Sequence, residues 1–353
     1  MNYRSEIDGL RAVAVVPVIL FHGGFQLFSG GFVGVDIFFV ISGYLITSVI
    51  IAEEKAGEFS LISFYERRAR RILPALFFVM LACLPFAWLW MDPFELKEFS
   101  KSLSTVSVFA SNIEFWRESG YFAADTELKP LLHTWSLAVE EQYYVLFPLF
   151  MIFCWQFGTR WTIGLFGAIA SVSLATAEWG SVNHLAGTFY FLPTRAWELL
   201  LGASVALHHF ARKDTDIAAI NRPLGEVAGI AGIVLITYSV FAFDKTTPFP
   251  SLYTLIPTIG TVLIISFATQ RTFVGRLLGG RLPTGIGLIS YSAYLWHQPM
   301  FAFARLHSQK EPSVLNRKFA TLAWPRCCII CAEAFDGLKD LIGGFGPLER
   351  LRI

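Results

Sequence analysis

Apolar residues fall along this chain in blocks about as long as a bilayer is thick, separated by short polar connections. One block opens at 11–22, and others follow at 32–51, 72–91, 135–155, 162–178, 186–208, 224–243, 252–268 and 286–306. Each is near the roughly 20 residues a helix needs to span the hydrocarbon. The pattern predicts an all-α, polytopic membrane helical bundle of about nine to ten transmembrane helices. Residues 1–308 form its membrane domain. From 309 to 353 the texture changes: the best candidate for a tenth span, 319–335, contains Pro325, Arg326 and Glu333. That segment reads as a divergent or truncated tail.

Between the blocks, basic residues alternate with polar connections. Lys55, Arg67, Arg68, Arg70 and Arg71 crowd the connection at 52–71, which by the positive-inside rule is cytoplasmic. The N-terminus is then cytoplasmic too. Arg160, then Arg212, Lys213 and Arg222, then Arg271, Arg276 and Arg281 fall in loops assigned to the same side. No cleavable signal is legible, so the first span is expected to stay as an anchor. The connection at 92–134 lies outside by parity. Phe99, Leu103, Val106, Ala110 and Ile113 recur there at spacings of three and four, which predicts an amphipathic helix at the interface.

Composition agrees. Hydrophobic residues make up 54% and charged residues 16% of the 353, against about 25% charged in soluble proteins. A net charge of +1 gives no reason to expect nucleic acid. Partners are sought among lipids and lipid-linked molecules. Cys83 and Cys154 sit within apolar blocks, and the cluster Cys327, Cys328 and Cys331 has no second pair to make a zinc set, so no metal is expected.

Against this background the ionisable residues inside the blocks are candidates for function. RAVAVVPVILFH brackets ten mostly apolar residues between Arg11 and His22. As a helix it places the two groups about 16 Å apart along the axis, Arg11 near the cytoplasmic face and His22 toward the outer half. His22 is either an acid, base or relay, or a histidine bonded at a helix end. Asp36, in GGFVGVDIFFVISGYLIT, could pair with Arg11, orient His22 or form a structural ion pair. FYERRARRILP puts Arg68 and Arg71 on one helical face, suited to a phosphate or to anchoring at anionic lipid. In LLHTWSLAVEEQYYVLFP, Glu140 and Glu141 point to different sides of a helix and should differ in burial. His133, before that span, and His297, in SYSAYLWHQP, read as interfacial. Arg195 and Glu198 are three apart and should satisfy one another.

In this order the segments resemble the acyltransferase family 3 of integral membrane O-acyltransferases, which modify bacterial surface glycans. The resemblance runs from about 3 to 306. It rests on the R-x10-H of Arg11 and His22, GVDIFFVISGYLI, the R-x-x-R of Arg68 and Arg71, HTWSLAVEEQYY and SYSAYLWHQP. It implies an acyl-CoA donor, most often acetyl-CoA, with no permanently bound cofactor. The acceptor is a sugar hydroxyl beyond the bacterial cytoplasmic (inner) membrane, as in lipopolysaccharide O-antigen or exopolysaccharide. It carries donor binding onto Arg11, Arg68 and Arg71, and catalysis onto His22 with Asp36 and Glu140 in support. Many such enzymes add a C-terminal esterase-like domain, which this chain is expected to lack. A transporter or flippase of lipid-linked glycans is the competing class, with the same buried charges serving as a proton relay.

Overall fold

The computed structural model describes residues 3–119, 126–211 and 222–310. The divergent tail lies outside the described residues, apart from the end of the last helix. Among the described residues every regular element is helical. In chain order they are α1 (Ser5–His22), α2 (Gly34–Ala56), α3 (Leu61–Trp90), α4 (Pro93–Ser107), α5 (Ser111–Glu118), α6 (Thr134–Trp155), α7 (Thr159–Asn183), α8 (Leu185–Tyr190), α9 (Leu192–Ala211), α10 (Arg222–Ala242), α11 (Leu255–Phe267), α12 (Phe273–Leu278), α13 (Arg281–Leu288) and α14 (Ser290–Lys310). They fall into two compact units, Met1–Leu61 with Val139–Leu288, and Ile62–Ala138 with Ile289–Ile353.

In the first unit, α1 begins with Glu6 and Asp8 in its first turn, where carboxylates oppose the positive end of the helix dipole. α2 stops at Gly57, whose φ of 69° supplies the left-handed cap. Leu10 and Ala14 of α1 meet Ile37, Val40 and Ile41 of α2 and Ile264 of α11 in one core. α2 and α9 cross backbone to backbone. A Cβ on Gly43 would stand 1.9 Å from the Leu199 carbonyl oxygen, and one on Gly202 would stand 2.0 Å from that of Val40. Only hydrogen fits at either position, and the close approach lets short side chains on the two helices meet.

In the second unit, Ile72, Leu76, Met80, Cys83 and Ala87 line one stripe of α3. They pack with Phe99 and Val106 of α4 and Leu295 and Phe303 of α14. The arginines at 67–71 sit within α3 rather than in a loop before it, because the helix starts at Leu61. The amphipathic helix expected at 99–113 is two helices. Phe109, at φ 53°, turns the chain between α4 and α5, and Ile113 is 37% exposed instead of continuing the buried stripe. α4 is started by a capping box between Asp92 and Glu95 with Pro93 at its first position.

α4 and α5 also bring Glu98 and Glu118 together. Burial, then a hydrogen bond with Glu98, push the Glu118 carboxyl from 4.5 to about 6, against the pull of Lys129 at 2.5 Å. A raised carboxyl pKa means that folding favours the protonated form. The stability it adds is present below pH 4.5 and is lost as pH rises through about 6. Glu118→Gln is therefore expected to flatten the pH dependence of amide-exchange protection in α4 and α5 across that window. An unchanged slope would remove Glu118 as its source.

Among the described residues, five helices are long and apolar enough to cross a membrane: α2 with the turn before it, α3, α6, α7 and α10. The remaining predicted spans differ for identifiable reasons. α1, α9 and α14 have 18, 20 and 21 residues but carry polar groups inside them: Glu6, Asp8 and Arg11, then Arg195 and Glu198, then His297 and Gln298. Most of these are buried in protein. The block at 186–208 is broken at Phe191 into α8 and α9, and that at 252–268 yields a helix of only 13 residues.

Candidate active site

His22 is the last residue of α1, half-buried, with its Nδ1 2.9 Å from the carbonyl oxygen of Val18 one turn earlier. A carbonyl oxygen can only accept, so Nδ1 carries a proton. Asp36 and Glu140 were the expected orienting groups, but the backbone of α1 does this work. The His22 ring stands edge-on to Phe21, with centroids 5.1 Å apart.

Arg11 lies half-buried on the same helix, with Nη1 3.4 Å from Asp8 Oδ1. Asp8 also accepts from the Tyr3 hydroxyl at 2.6 Å. Nearby, Arg4 donates to the Tyr44 hydroxyl at 3.0 Å and to the carbonyls of Ile265 and Ala268. The N-terminal end of α1 is thus a cluster of cations and carboxylates, about 16 Å along the axis from His22.

Asp36 pairs neither with Arg11 nor with His22. Its Oδ1 accepts from Arg195 Nη2 at 2.7 Å, with both side chains fully buried, because the α2–α9 crossing brings them face to face. Glu198 Oε1 is 3.3 Å from Arg195 Nη1, so the expected pair of Arg195 and Glu198 is part of a triad. Glu140 accepts from the hydroxyls of Ser42 and Tyr144, which pins α6 to α2. The two adjacent glutamates differ in burial as expected: Glu141 is buried and Glu140 half-buried.

Arg68 and Arg71 belong to the second unit. They are half-buried and follow Phe64 along one side of α3. The neighbouring Arg70 points to the exposed side and is held by Glu66 at 2.7 Å. Arg67 is half-buried as well, so of the four arginines Arg70 is the exposed one. Also in this unit, His133 and His297 are buried rather than interfacial, with ring centroids 5.2 Å apart. Tyr294 bridges them: its hydroxyl donates to the His133 carbonyl at 3.1 Å, and its own carbonyl accepts from His297 Nδ1.

The acyltransferase 3 family, described as an acyltransferase domain, matches residues 4–330. The chain belongs to this family. The peptidoglycan O-acetyltransferase OatA of Listeria monocytogenes is 31% identical over 312 residues, which is 85% of this chain and 49% of that protein. The O-acetyltransferase OatA of Staphylococcus aureus is 33% identical over 312 residues, 86% of this chain and 51% of that one. A putative O-acetyltransferase of S. aureus strain MSSA476 is 32% identical over 311 residues. The chain spans about half the length of these relatives. No solved structure matches it.

Three contacts in this family member escaped the sequence reading. Ser42 and Tyr144 gave no signal beyond their motifs, since hydroxyls are common in membrane helices. The Arg195 to Asp36 tie crosses 159 residues of sequence, and no helical spacing can announce it. The glycines on either side of that crossing, Gly43 and Gly202, were the visible trace.

Proposed function

We propose that the protein is a membrane O-acyltransferase that moves an acyl group, acetyl in the first instance, from cytoplasmic acyl-CoA to a hydroxyl of an extracytoplasmic surface glycan. It would sit in the bacterial cytoplasmic membrane with its N-terminus inside. Family membership supports the acyl chemistry, and the names of the relatives support acetyl. Peptidoglycan is named for one relative, and lipopolysaccharide or exopolysaccharide remain acceptors of the same class.

The observation that carries the reading is the bond of His22 Nδ1 to the Val18 carbonyl. Its other ring nitrogen, Nε2, is assigned to take the proton of an acceptor hydroxyl as that oxygen attacks the thioester carbonyl carbon. The carbon–sulfur bond then breaks, and the imidazolium returns the proton to the departing thiolate. Protons balance, and no further reactant is needed. If His22 instead attacks the thioester, the carbon–sulfur bond breaks, CoA leaves as the thiol with the Nδ1 proton, and Nε2 carries the acyl group until the hydroxyl oxygen takes it and returns its proton to the imidazole.

Arg11 is too far along α1 to stabilise an oxyanion formed at His22, so its place is with the donor's phosphates near the cytoplasmic end. In the second unit, Arg68 and Arg71 are assigned to phosphate binding by their charge and by the bidentate fork that a guanidinium offers a phosphate. Asp36 and Glu140, each engaged with protein partners, support the site by holding α2.

Arg68→Ala/Arg71→Ala tests the donor half. With radiolabelled acetyl-CoA supplied to inside-out vesicles, the double variant is expected to raise the donor KM by roughly tenfold or more, at one to two lost charge-assisted hydrogen bonds. An unchanged KM would remove the pair from donor binding. Absence of any donor turnover by the intact protein, with acceptor present, would favour a transporter.

A further inference from the structure

Asp36, Arg195 and Glu198 form a charge cluster for which the transfer chemistry gives no direct use. All three side chains are fully buried. The guanidinium is boxed by aromatic rings, 5.4 Å from the centroid of Phe39, 6.0 Å from that of Phe189 and 5.3 Å from that of Phe249. Two carboxylates against one guanidinium would leave a net charge of −1 in this apolar box. Buried charge is tolerated only when it is balanced and hydrogen-bonded. Asp36 Oδ2 and Glu198 Oε2 have no hydrogen-bond donor. Yet both carboxyl groups close on the same guanidinium, Asp36 Oδ1 at 2.7 Å from Nη2 and Glu198 Oε1 at 3.3 Å from Nη1, which brings them side by side. A single proton placed between them supplies the missing donor and neutralises the triad at once.

The triad also connects to His22. Phe249, which faces the guanidinium, packs against Phe32 at 4.7 Å. Phe32 packs against Phe21 at 5.7 Å, and Phe21 against the His22 ring. The helix end that carries His22 therefore rests on rings whose last member is held by Arg195.

We propose that Asp36 and Glu198 share one proton over Arg195, and that Arg195 and Glu198 are positioning residues for acyl transfer, acting through Phe249, Phe32 and Phe21 on the His22 ring. The positioning half rests on His22 being the base or relay; the shared proton does not.

Difference infrared spectroscopy of the full chain in vesicles reads the proton directly. The intact protein at neutral pH is expected to show the carbonyl band of a protonated carboxylic acid. Glu198→Gln and Asp36→Asn should each abolish it, because one carboxylate remains and Arg195 balances it. No band in the intact protein, or the same band in all three, overturns the shared proton. For the positioning role, Glu198→Gln carries the hydrogen bonds of a protonated glutamate and should keep kcat close to that of the intact protein. Glu198→Ala should lower kcat several-fold at unchanged donor KM. Equal loss in the two variants, or no loss in Glu198→Ala, overturns it. If kcat is insensitive to His22→Ala as well, the failure lies with the assigned base rather than with the triad.

Discussion

Replacing His22 with alanine is expected to lower acyl transfer by roughly 100- to 10,000-fold, the range for removing a general acid–base group. The donor KM should change little. The imidazole closes α1, half-buried, with its Nδ1 bonded to the Val18 carbonyl of its own helix. The loss should therefore fall on kcat rather than on folding. Glutamine at this position can donate to a carbonyl but cannot accept a proton at neutral pH, so His22→Gln should be as inactive as alanine. Transfer assays on the two variants, normalised to the amount of inserted protein, check this. Recovery of activity in the glutamine variant alone would mean that His22 acts through structure.

Arg195→Met is expected to be the most destabilising single change in the first unit. Methionine fills much of the volume and suits the aromatic box, but it leaves Asp36 and Glu198 facing one another without a cation. Breaking a buried ion pair by removing one partner costs about 3–5 kcal/mol, a large share of the stability of any domain. The measurement is the Tm of the protein in detergent, followed by circular dichroism. Adding Asp36→Asn and Glu198→Gln to Arg195→Met removes the uncompensated charge and should recover much of the lost Tm. A Tm for Arg195→Met equal to that of the intact protein would mean that the triad contributes nothing.

Much of the architecture was legible because each helix announces itself locally. The blocks at 135–155 and 224–243 correspond closely to α6 and α10, since an apolar run bounded by polar connections has few other ways to satisfy its backbone in lipid. Where the reading slipped, the deciding contact was distant in sequence. α1, α9 and α14 look like spans by length, yet each buries polar groups, and in α9 the partner of Arg195 is Asp36 on another helix. The break at Phe109 depends on one residue's φ, which periodicity does not encode.

The candidate site divides in the same way. Arg11, His22, Arg68 and Arg71 could be singled out because each sits in a short motif with its own spacing. What holds them could not. His22 is oriented by its own helix backbone, Asp36 by a residue 159 positions away, and Glu140 by the Ser42 hydroxyl 98 positions away. Both carboxylates that seemed placed to serve the histidine, Asp36 and Glu140, are committed to tying α2 to a neighbouring helix.

The most direct test of the central claim is transfer of label from acetyl-CoA to extracytoplasmic glycan in inside-out vesicles, comparing the intact chain with His22→Ala at equal insertion. The account predicts labelled glycan with the intact protein and near-background label with the variant, at an unchanged donor KM. Equal transfer by both would contradict it, because the only imidazole on α1 would then have no part in the chemistry.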